Sequence, residues 1–314
     1  MNSRSLVSLV DLSSQEIEEI LSLALDMKAD PDQYRDCLQG KVLAMVFQKP
    51  SLRTRVSFET GMRHLGGHAI YLAPADIDLG RRESVPDVAR TLGRMVNGIM
   101  ARTFQHDTVV QLAECAGVPV INGLTDLFHP CQALADMLTL REVKGRLEGL
   151  RLAFVGDGNN VCHSLMAAGA RLGVSILAVV PPGYEPRPEI VNPARRLAQK
   201  KRSVIEVVHS LEEGVAAADA VYTDVWTSMG QEPQAERRLK DFASFQVDRR
   251  IFAMAKPDAV FMHCLPAHRG EEVSAEVCDS PRSVIFQQAE NRLHAQKAVL
   301  ALLLAGAPQG RQAV

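Results

Sequence analysis

Short apolar segments alternate with amphipathic segments along all 314 residues, and this alternation limits the possible folds more than any other feature of the chain. In the front half, uncharged runs typical of buried strands are separated by stretches in which apolar residues have helical spacing. The predicted strands lie near 42–47, 69–72, 98–101 and 118–121, and the predicted helices near 53–65, 85–96 and 108–116. Strands and helices in this order form a parallel sheet covered by helices.

A second series of the same kind follows a polar break at residues 144–149. Its predicted strands lie near 151–155, 175–180, 204–208, 220–223 and 260–264. The predicted fold class is therefore α/β, with two doubly wound parallel-sheet domains joined by helices. The last predicted helix, from about Gln288 through Leu304, is long and apolar, and we expect it to pack back on the first domain. The expected domains are residues 1–144 with the C-terminal helix 289–314, and residues 145–288.

Composition argues against several classes of protein. The 35 lysines and arginines nearly balance the 37 aspartates and glutamates, and a net charge of −2 gives no reason to expect nucleic-acid binding. The six cysteines lack the paired short spacings of a zinc site or a small disulfide scaffold, so we expect reduced thiols and no metal ion. No segment approaches membrane-spanning length without charges, and the N-terminus lacks a signal-peptide pattern. We expect a cytoplasmic protein that binds neither nucleic acid nor membranes.

Two arginines and two hydroxyl residues follow the predicted strand at 42–47, in the segment 51–55. This segment is expected at a strand-to-helix turn, where free backbone N–H groups and the positive end of the helix favour an anion. Guanidinium groups also match the geometry of phosphate. The segment therefore predicts a phosphate site. The alternative is that Arg53 and Arg55 are solvated helix residues paired with Glu59.

Unusual polar residues also follow four other predicted strands. They are Arg102, the turn 157–160, Asp224 and the segment 263–266. Ligands of open parallel sheets bind outside the carboxyl ends of the strands, so these positions indicate binding residues. The glycines at 156 and 158 suggest a dinucleotide site, but Val161 stands where that fingerprint needs its third glycine. The two asparagines of the turn instead suit a carboxylate or an amino-acid backbone.

Several of these side chains have both a functional and a structural interpretation. His129 and Gln132, at the start of a predicted helix, are suited to donate to a carbonyl oxygen, or they are a helix cap and a surface residue. Asp224 suits a primary ammonium group, or it caps a helix. Cys264 suits a nucleophile, for which the sequence shows no base, or it is a buried thiol. Arg292 suits a second anion contact, or it is a solvated helix arginine.

The segments 51–55, 129–132, 228–230 and 263–266 resemble, in this order, the signatures of the ornithine carbamoyltransferases, within the aspartate/ornithine carbamoyltransferase family. The resemblance spans essentially the whole chain. It implies transfer of the carbamoyl group of carbamoyl phosphate to the δ-amino group of L-ornithine, giving L-citrulline and phosphate without a metal or an organic cofactor. It also implies a homotrimer, or a multiple of trimers, with active sites at subunit interfaces. The first domain would bind carbamoyl phosphate and the second domain ornithine.

The resemblance also implies a role for each matching residue. Those that would bind carbamoyl phosphate are Ser51, Leu52, Arg53, Thr54, Arg102, His129, Gln132, Cys264, Leu265 and Arg292. Those that would bind ornithine are Asn160, Asp224, Ser228 and Met229. The catalytic residues would be Arg102, His129, Cys264 and Asp224, of which the last two would help the δ-ammonium group lose its proton.

Two positions depart from the family's pattern. Leu52 stands where many members have threonine, and we expect little effect because a backbone amide can serve there. Asp78 stands where members often have a glutamine or histidine that reaches a neighbouring subunit's carbamoyl phosphate. A carboxylate repels phosphate unless it is protonated or paired, for example with Arg81 or Arg82. We therefore assign Asp78 no direct role and predict weaker carbamoyl-phosphate affinity than in an Asp78→Gln variant.

Two other functions are compatible with the sequence. One is a carbamoyltransferase that acts on putrescine or an N-acylornithine, although Asn160 and the segment 228–230 favour free ornithine. The other is a non-catalytic subunit that binds carbamoyl phosphate or an amino acid, with Asp78 as a sign of lost activity. The same residues serve arginine synthesis and arginine breakdown, so both directions stay open.

Overall fold

The computed structural model describes residues 5–228 and 232–305, and it divides into two compact units. The first unit contains the chain up to Leu138 and again from Asn291 onward, and the second contains Thr139–Glu290. Each unit has one parallel sheet, of four strands in the first and five in the second. The predicted fold class is therefore confirmed. The domain limits expected at 144 and 288 stay a prediction.

The first sheet has the strand order β2-β1-β3-β4, and all its strands are parallel. Its strands are β1 (Val42–Phe47), β2 (His68–Leu72), β3 (Gly98–Arg102) and β4 (Val120–Leu124). The helices of this part of the chain are α1 (Ser14–Ala29), α2 (Leu52–His64), α3 (Pro74–Ile77), α4 (Val85–Leu92), α5 (His106–Cys115) and α6 (Pro130–Lys144). After β1 the chain forms the edge strand β2 and then crosses to β3, which lies on the other side of β1. The turns after β1 and β3 therefore border the crevice at which such sheets bind ligands.

Several boundaries in the first unit differ from the sequence prediction, among them the start of β4 and the end of α4. Strand β4 begins at Val120 and not at 118, because Pro119 has no N–H group to donate to the sheet. Helix α4 ends at Leu92 and not near 96. Gly93 follows it at a close approach to another segment, where an added Cβ atom would lie 1.8 Å from the carbonyl oxygen of Ala116.

The second sheet has the strand order β7-β6-β5-β8-β9 and is also entirely parallel. Its strands are β5 (Arg151–Val155), β6 (Ser175–Val179), β7 (Ile205–Val208), β8 (Ala220–Thr223) and β9 (Val260–His263). Its helices are α7 (Asn160–Leu172), α8 (Pro188–Lys200), α9 (Leu211–Val215), α10 (Ala235–Phe242), α11 (Arg249–Phe252) and α12 (Ala275–Cys278). From β5 the chain proceeds through β6 to the edge strand β7 and then returns to β8, on the other side of β5. The turns after β5 and β8 therefore border the crevice of this sheet.

The last helix, α13 (Ile285–Leu304), begins three residues before the predicted start and belongs to the first unit from Asn291 onward. It packs next to Gly61 of α2, where an added Cβ atom would lie in van der Waals contact with Leu300 Cδ1, at 3.5 Å. Gln296 on α13 and Ser57 on α2 also share a buried hydrogen bond. The predicted packing of the last helix on the first domain is confirmed. Within the ranges that the structure describes, no helix has an apolar stretch long enough to cross a membrane.

Candidate active site

The expected phosphate segment forms the start of helix α2, directly after the central strand β1. Ser51 is the N-cap: its hydroxyl oxygen accepts from the N–H of Thr54 at 3.3 Å and its hydroxyl lies 3.1 Å from Thr54 Oγ1. Arg53 is half-buried, whereas Leu52 is 73% exposed. Arg55 is exposed, pairs with Glu59 at 2.9 Å and has its guanidinium group 3.9 Å from the centre of the Tyr71 ring. The solvated interpretation of this motif is therefore correct for Arg55 but not for Arg53.

A buried network joins helix α13 to helices α2 and α6. Arg292, which is 2% exposed, donates from Nη1 to Gln132 Oε1 at 2.8 Å and from Nη2 to Thr54 Oγ1 at 3.3 Å. Its Nε donates to Gln296 Oε1 at 2.9 Å. Gln132 in turn donates to Asp136 at 2.8 Å. Arg292 is therefore not a solvated helix arginine and Gln132 is not a surface residue, and the structure brings both to the start of α2.

His129 lies at the centre of a cluster of positive charges. Burial holds the pKa of His129 well below its usual value. Four nearby cations lower this pKa further, and they are Arg292, Arg102, Lys49 and Arg53. The imidazole is therefore neutral at physiological pH and can donate a hydrogen bond without adding to the charge. So many buried cations in one place favour a bound anion.

Lys49 belongs to this cluster, although the sequence analysis gave it no role. Its side chain is buried, and its ammonium group lies 5.0 Å from the centre of the Phe104 ring. Burial, and secondarily the charge of Arg102, lowers the pKa of Lys49 to about 8, while Asp126 acts in the opposite direction. The only signal in the sequence is its place at the start of the 49–55 motif, since nothing there indicates that a lysine is buried.

The lowered pKa of Lys49 predicts that anion binding depends on pH. Affinity for sulfate, which stays doubly charged in this range, is expected to fall by about tenfold between pH 7 and pH 9, as Lys49 loses its proton near pH 8. The arginines stay charged and His129 stays neutral across this range. Calorimetric titration at several pH values measures the effect, and Lys49→Gln is expected to bind weakly with no step near pH 8. The same step in the variant would contradict the assignment.

Asp78 caps the short helix α3 in the left-handed conformation, with φ of 45°. Its backbone carbonyl accepts from the N–H groups of Arg81 and Arg82 at 2.9 and 3.0 Å. In the described part of the chain, however, no ion pair joins its exposed carboxylate to either arginine. The compensating pair considered from the sequence is therefore not formed.

In the second unit, Asp224 connects the ends of three strands. It directly follows β8 and is 7% exposed. One carboxylate oxygen accepts from Asn159 Nδ2, after β5, at 2.8 Å. The other accepts from the N–H of Val225 at 2.8 Å and from the Cys264 thiol, after β9, at 2.9 Å. Asp224 is therefore held as a nearly buried carboxylate at the crevice of this sheet.

Of the two neighbouring asparagines, it is Asn159 that contacts Asp224. Asn159 also caps α7, because its side-chain oxygen accepts from the N–H groups of Val161 and Cys162. The predicted ornithine residue, Asn160, is the first residue of α7 and is half-buried. Ser228 is the last residue of the first described range, 5–228. Met229, the other predicted ornithine residue of this loop, lies outside the described residues.

Arg238 on α10 is a further buried residue that the sequence analysis missed. It forms an ion pair with Asp157 in the turn after β5 and donates to the carbonyl oxygen of Trp226. Burial raises the pKa of Asp157, and the charge of Arg238 opposes this effect. Trp226 itself is buried and stacks on Phe242. Arg238 thus joins the turns after β5 and β8, which also contain Asn159 and Asp224.

Two groups of possible metal ligands occur among the described residues. They are Asp224 with His263 and Cys264, and His268 with Glu271 and Glu272. Both ring nitrogens of His263 are engaged, Nε2 by Glu272 at 3.0 Å and Nδ1 by the N–H of Leu265 at 2.9 Å. The first group therefore offers a cation only a carboxylate and a thiol that already bond to each other. In the second group, His268 and Glu271 are about half exposed.

Comparison with known proteins extends over nearly the whole chain. Residues 4–142 match the family model of the aspartate/ornithine carbamoyltransferase carbamoyl-P binding domain, and residues 148–303 match the model of its Asp/Orn binding domain. The ornithine carbamoyltransferase of Thermococcus kodakarensis is 53% identical over 305 residues, which are 96% of this chain and 97% of that protein. The anabolic ornithine carbamoyltransferase of Pyrococcus furiosus is also 53% identical, over the same shares of the two chains.

A solved structure of ornithine carbamoyltransferase from Pyrococcus furiosus superposes with a TM-score of 0.93 at 53% identity, covering 96% of this chain and 97% of that one. The likeness of fold therefore extends over both units of this chain. With matches of this length and identity in sequence and in fold, the chain belongs to the aspartate/ornithine carbamoyltransferase family.

Proposed function

We propose that this chain is an ornithine carbamoyltransferase, which transfers the carbamoyl group of carbamoyl phosphate to the δ-amino group of L-ornithine and releases L-citrulline and phosphate. The main support is the opposite chemistry of the two crevices. The first gathers buried cations around a neutral imidazole, as a phosphorylated substrate requires. The second presents a nearly buried carboxylate, as an ammonium-bearing substrate requires. The names of relatives that are more than half identical agree with this assignment.

In the first crevice, the start of α2 would hold the phosphate through backbone N–H groups, hydroxyls and guanidinium groups. The residues proposed for this contact are Ser51, Leu52, Arg53, Thr54 and Arg102. His129 and Arg102 would stabilise the negative charge that develops on the carbamoyl oxygen during attack. Gln132 and Arg292, fixed by their mutual hydrogen bond, would orient the carbamoyl group together with Cys264 and Leu265.

In the second crevice, Asn160, Asp224, Ser228 and Met229 are proposed to bind ornithine. An ammonium group has no lone pair, so the δ-nitrogen must lose a proton before it attacks the carbamoyl carbon. The carboxylate of Asp224 and the thiol of Cys264 already form a hydrogen bond of 2.9 Å. This pair would accept the first proton. Attack of the free amine on the carbamoyl carbon then breaks the bond to the phosphate oxygen, and the phosphate leaves with the second proton of the nitrogen.

The assembly, the location and the domain limits are also proposals. We infer a homotrimer or a multiple of trimers, in the cytoplasm, with a carbamoyl-phosphate domain of residues 1–144 and 289–314 and an ornithine domain of residues 145–288. Exposed apolar side chains on α2 and the edge strand β2 support an interface there, since Leu52 is 73%, Val56 51% and Ile70 42% exposed. Sedimentation equilibrium measures the assembly, and a monomeric mass would contradict it.

A steady-state assay of the purified protein tests the activity. Citrulline is expected from carbamoyl phosphate with L-ornithine, at a kcat/KM far above those for carbamoyl transfer to putrescine or N-acetylornithine. A preference for either alternative acceptor would show that the protein is a carbamoyltransferase with that acceptor as its substrate. A properly folded protein that transfers the carbamoyl group to none of the three would contradict the enzyme assignment and favour a binding subunit.

Removal of the charge at Asp78 is expected to strengthen carbamoyl-phosphate binding. Because no described residue forms an ion pair with this exposed carboxylate, Asp78→Gln is expected to lower the KM for carbamoyl phosphate by about twofold to fivefold, with a larger effect at low salt. Asp78→Asn is the matched control for the backbone, since asparagine tolerates the left-handed conformation better than glutamine. An unchanged or higher KM in both variants would show that the carboxylate does not repel the substrate.

A further inference from the structure

Two fully buried ionisable side chains lie next to the turn that contains Cys264 and Leu265. His263 is the last residue of β9, and its Nε2 atom lies 3.0 Å from Oε1 of Glu272. Both side chains are 0% exposed. A buried carboxylate destabilises a fold unless it is hydrogen-bonded, so this pair calls for a structural or a functional reason. Neither residue has a role in the reaction proposed above.

The hydrogen bonds of His263 determine its tautomer. The N–H of Leu265 donates to Nδ1 at 2.9 Å, so Nδ1 acts as an acceptor and has no proton. The ring proton is therefore on Nε2, which donates to Glu272. A carboxylate partner favours one tautomer and one ring orientation of a histidine. The carboxylate is itself fixed, because Glu272 Oε1 also accepts from the N–H of His268 at 2.6 Å.

The bond from Leu265 to His263 supports an uncommon backbone conformation. Leu265 has a φ of 60°, in the left-handed region that residues with a branched side chain rarely adopt. Its N–H is engaged by Nδ1 of His263, so this hydrogen bond helps to fix the orientation of the Leu265 peptide group. The preceding residue, Cys264, donates from Sγ to Asp224 at 2.9 Å. The orientation of both residues therefore depends on the pair formed by Glu272 and His263.

We propose that Glu272 is a positioning residue, which holds His263 in the Nε2–H tautomer and so keeps the Leu265 backbone and the Cys264 thiol in the orientation that carbamoyl transfer needs. This inference rests on the proposed function, in which Cys264 and Leu265 act on the carbamoyl group. With a neutral amide in place of the carboxylate, the Nδ1–H tautomer becomes accessible and places a proton against the N–H of Leu265. The substitution is then expected to disturb the geometry of the reacting groups more than the binding of either substrate.

The test compares Glu272→Gln with Glu271→Gln, a matched change at the neighbouring glutamate, whose side chain is 47% exposed. In the Glu272 variant, kcat is expected to fall by about 10- to 100-fold, by analogy with the loss found when the carboxylate that orients a metal-bound histidine is replaced. The KM values for carbamoyl phosphate and ornithine are expected to change by less than about threefold. The Glu271 variant is expected to keep the wild-type kcat, and thermal unfolding verifies that both variants are folded.

Nitrogen NMR of the imidazoles provides a second readout, with the His263 signals assigned by their loss in His263→Asn. The wild type is expected to show the Nε2–H tautomer at His263, and Glu272→Gln to show a mixture. Equal kcat values in the two glutamate variants, or an Nδ1–H tautomer in the wild type, would overturn the positioning role and leave the proposed function intact. A wild type that forms no citrulline would overturn both. If Glu272→Gln does not fold, Glu272→Asp replaces it, with the same expected loss of kcat.

Discussion

Replacement of Arg102 with methionine is expected to lower kcat/KM for carbamoyl phosphate by about 10³-fold or more, since the loss of one donor to a developing oxyanion typically costs 10²- to 10³-fold and this donor also has a charge. Arg102 is the last residue of β3, is 5% exposed and lies close enough to His129 to lower its pKa. Methionine fills a similar volume without charge. Steady-state kinetics with carbamoyl phosphate as the varied substrate measures the loss.

Arg55→Met is the matched control for this prediction. Arg55 belongs to the same motif as Arg53, but it is exposed, pairs with Glu59 and lies over the Tyr71 ring. We expect its replacement to change kcat/KM by less than about threefold, because exposed ion pairs contribute little. Comparable losses in the Arg102 and Arg55 variants would indicate a general effect of net charge and would contradict a specific role for Arg102.

Asp224→Asn is expected to lower kcat/KM for ornithine by about 10³-fold, with a much smaller change in the KM for carbamoyl phosphate. The substitution keeps the shape of the side chain but removes the charge that would attract the ammonium group. It also converts one of the carboxylate oxygens that accept from Asn159 and Cys264 into a donor. Initial rates with each substrate varied in turn separate the two effects. An equal loss for both substrates would argue against a role specific to ornithine.

Asp219→Asn provides the control, because Asp219 lies just before the other end of the same strand. It is nearly buried, accepts from the N–H of Arg151 at 2.9 Å and pairs with Lys256 at 2.7 Å. This replacement is expected to lower the melting temperature while kcat/KM stays within about threefold of the wild type. Comparison of the two variants would thus show that the aspartate at the amino end of β8 contributes to stability and the aspartate at its carboxyl end to function.

The sheets and the positions of the candidate residues follow from local patterns. The uncharged run of β1 and the alternation around it predicted the parallel sheet, and the ends of β3, β5, β8 and β9 supplied the expected polar residues. These predictions succeed because a buried parallel strand needs a continuous apolar run, which is visible in any short window of sequence. The resemblance then gave each residue a role that composition and spacing alone left open.

Contacts between distant parts of the chain were not predictable in this way. Nothing near Gln132 indicates that Arg292 is its partner 160 positions later, and nothing near Asp157 indicates Arg238. Burial of Lys49 and Glu272 is equally invisible, because both are charged residues that normally lie at the surface. The choice between Arg53 and Arg55, two positions apart, depends on which face of α2 is covered, and that is a property of the tertiary structure.

The path of helix α13 has a consequence for how the chain acquires its fold during synthesis. Thr54 and Ser57 leave the ribosome well before Arg292 and Gln296, to which they bond in the folded protein. Protein synthesis proceeds from the amino end, so the amino-terminal unit stays incomplete while the whole second unit is made. A nascent chain that stops short of Arg292 would therefore expose the face that α13 covers and would be a natural substrate for chaperones.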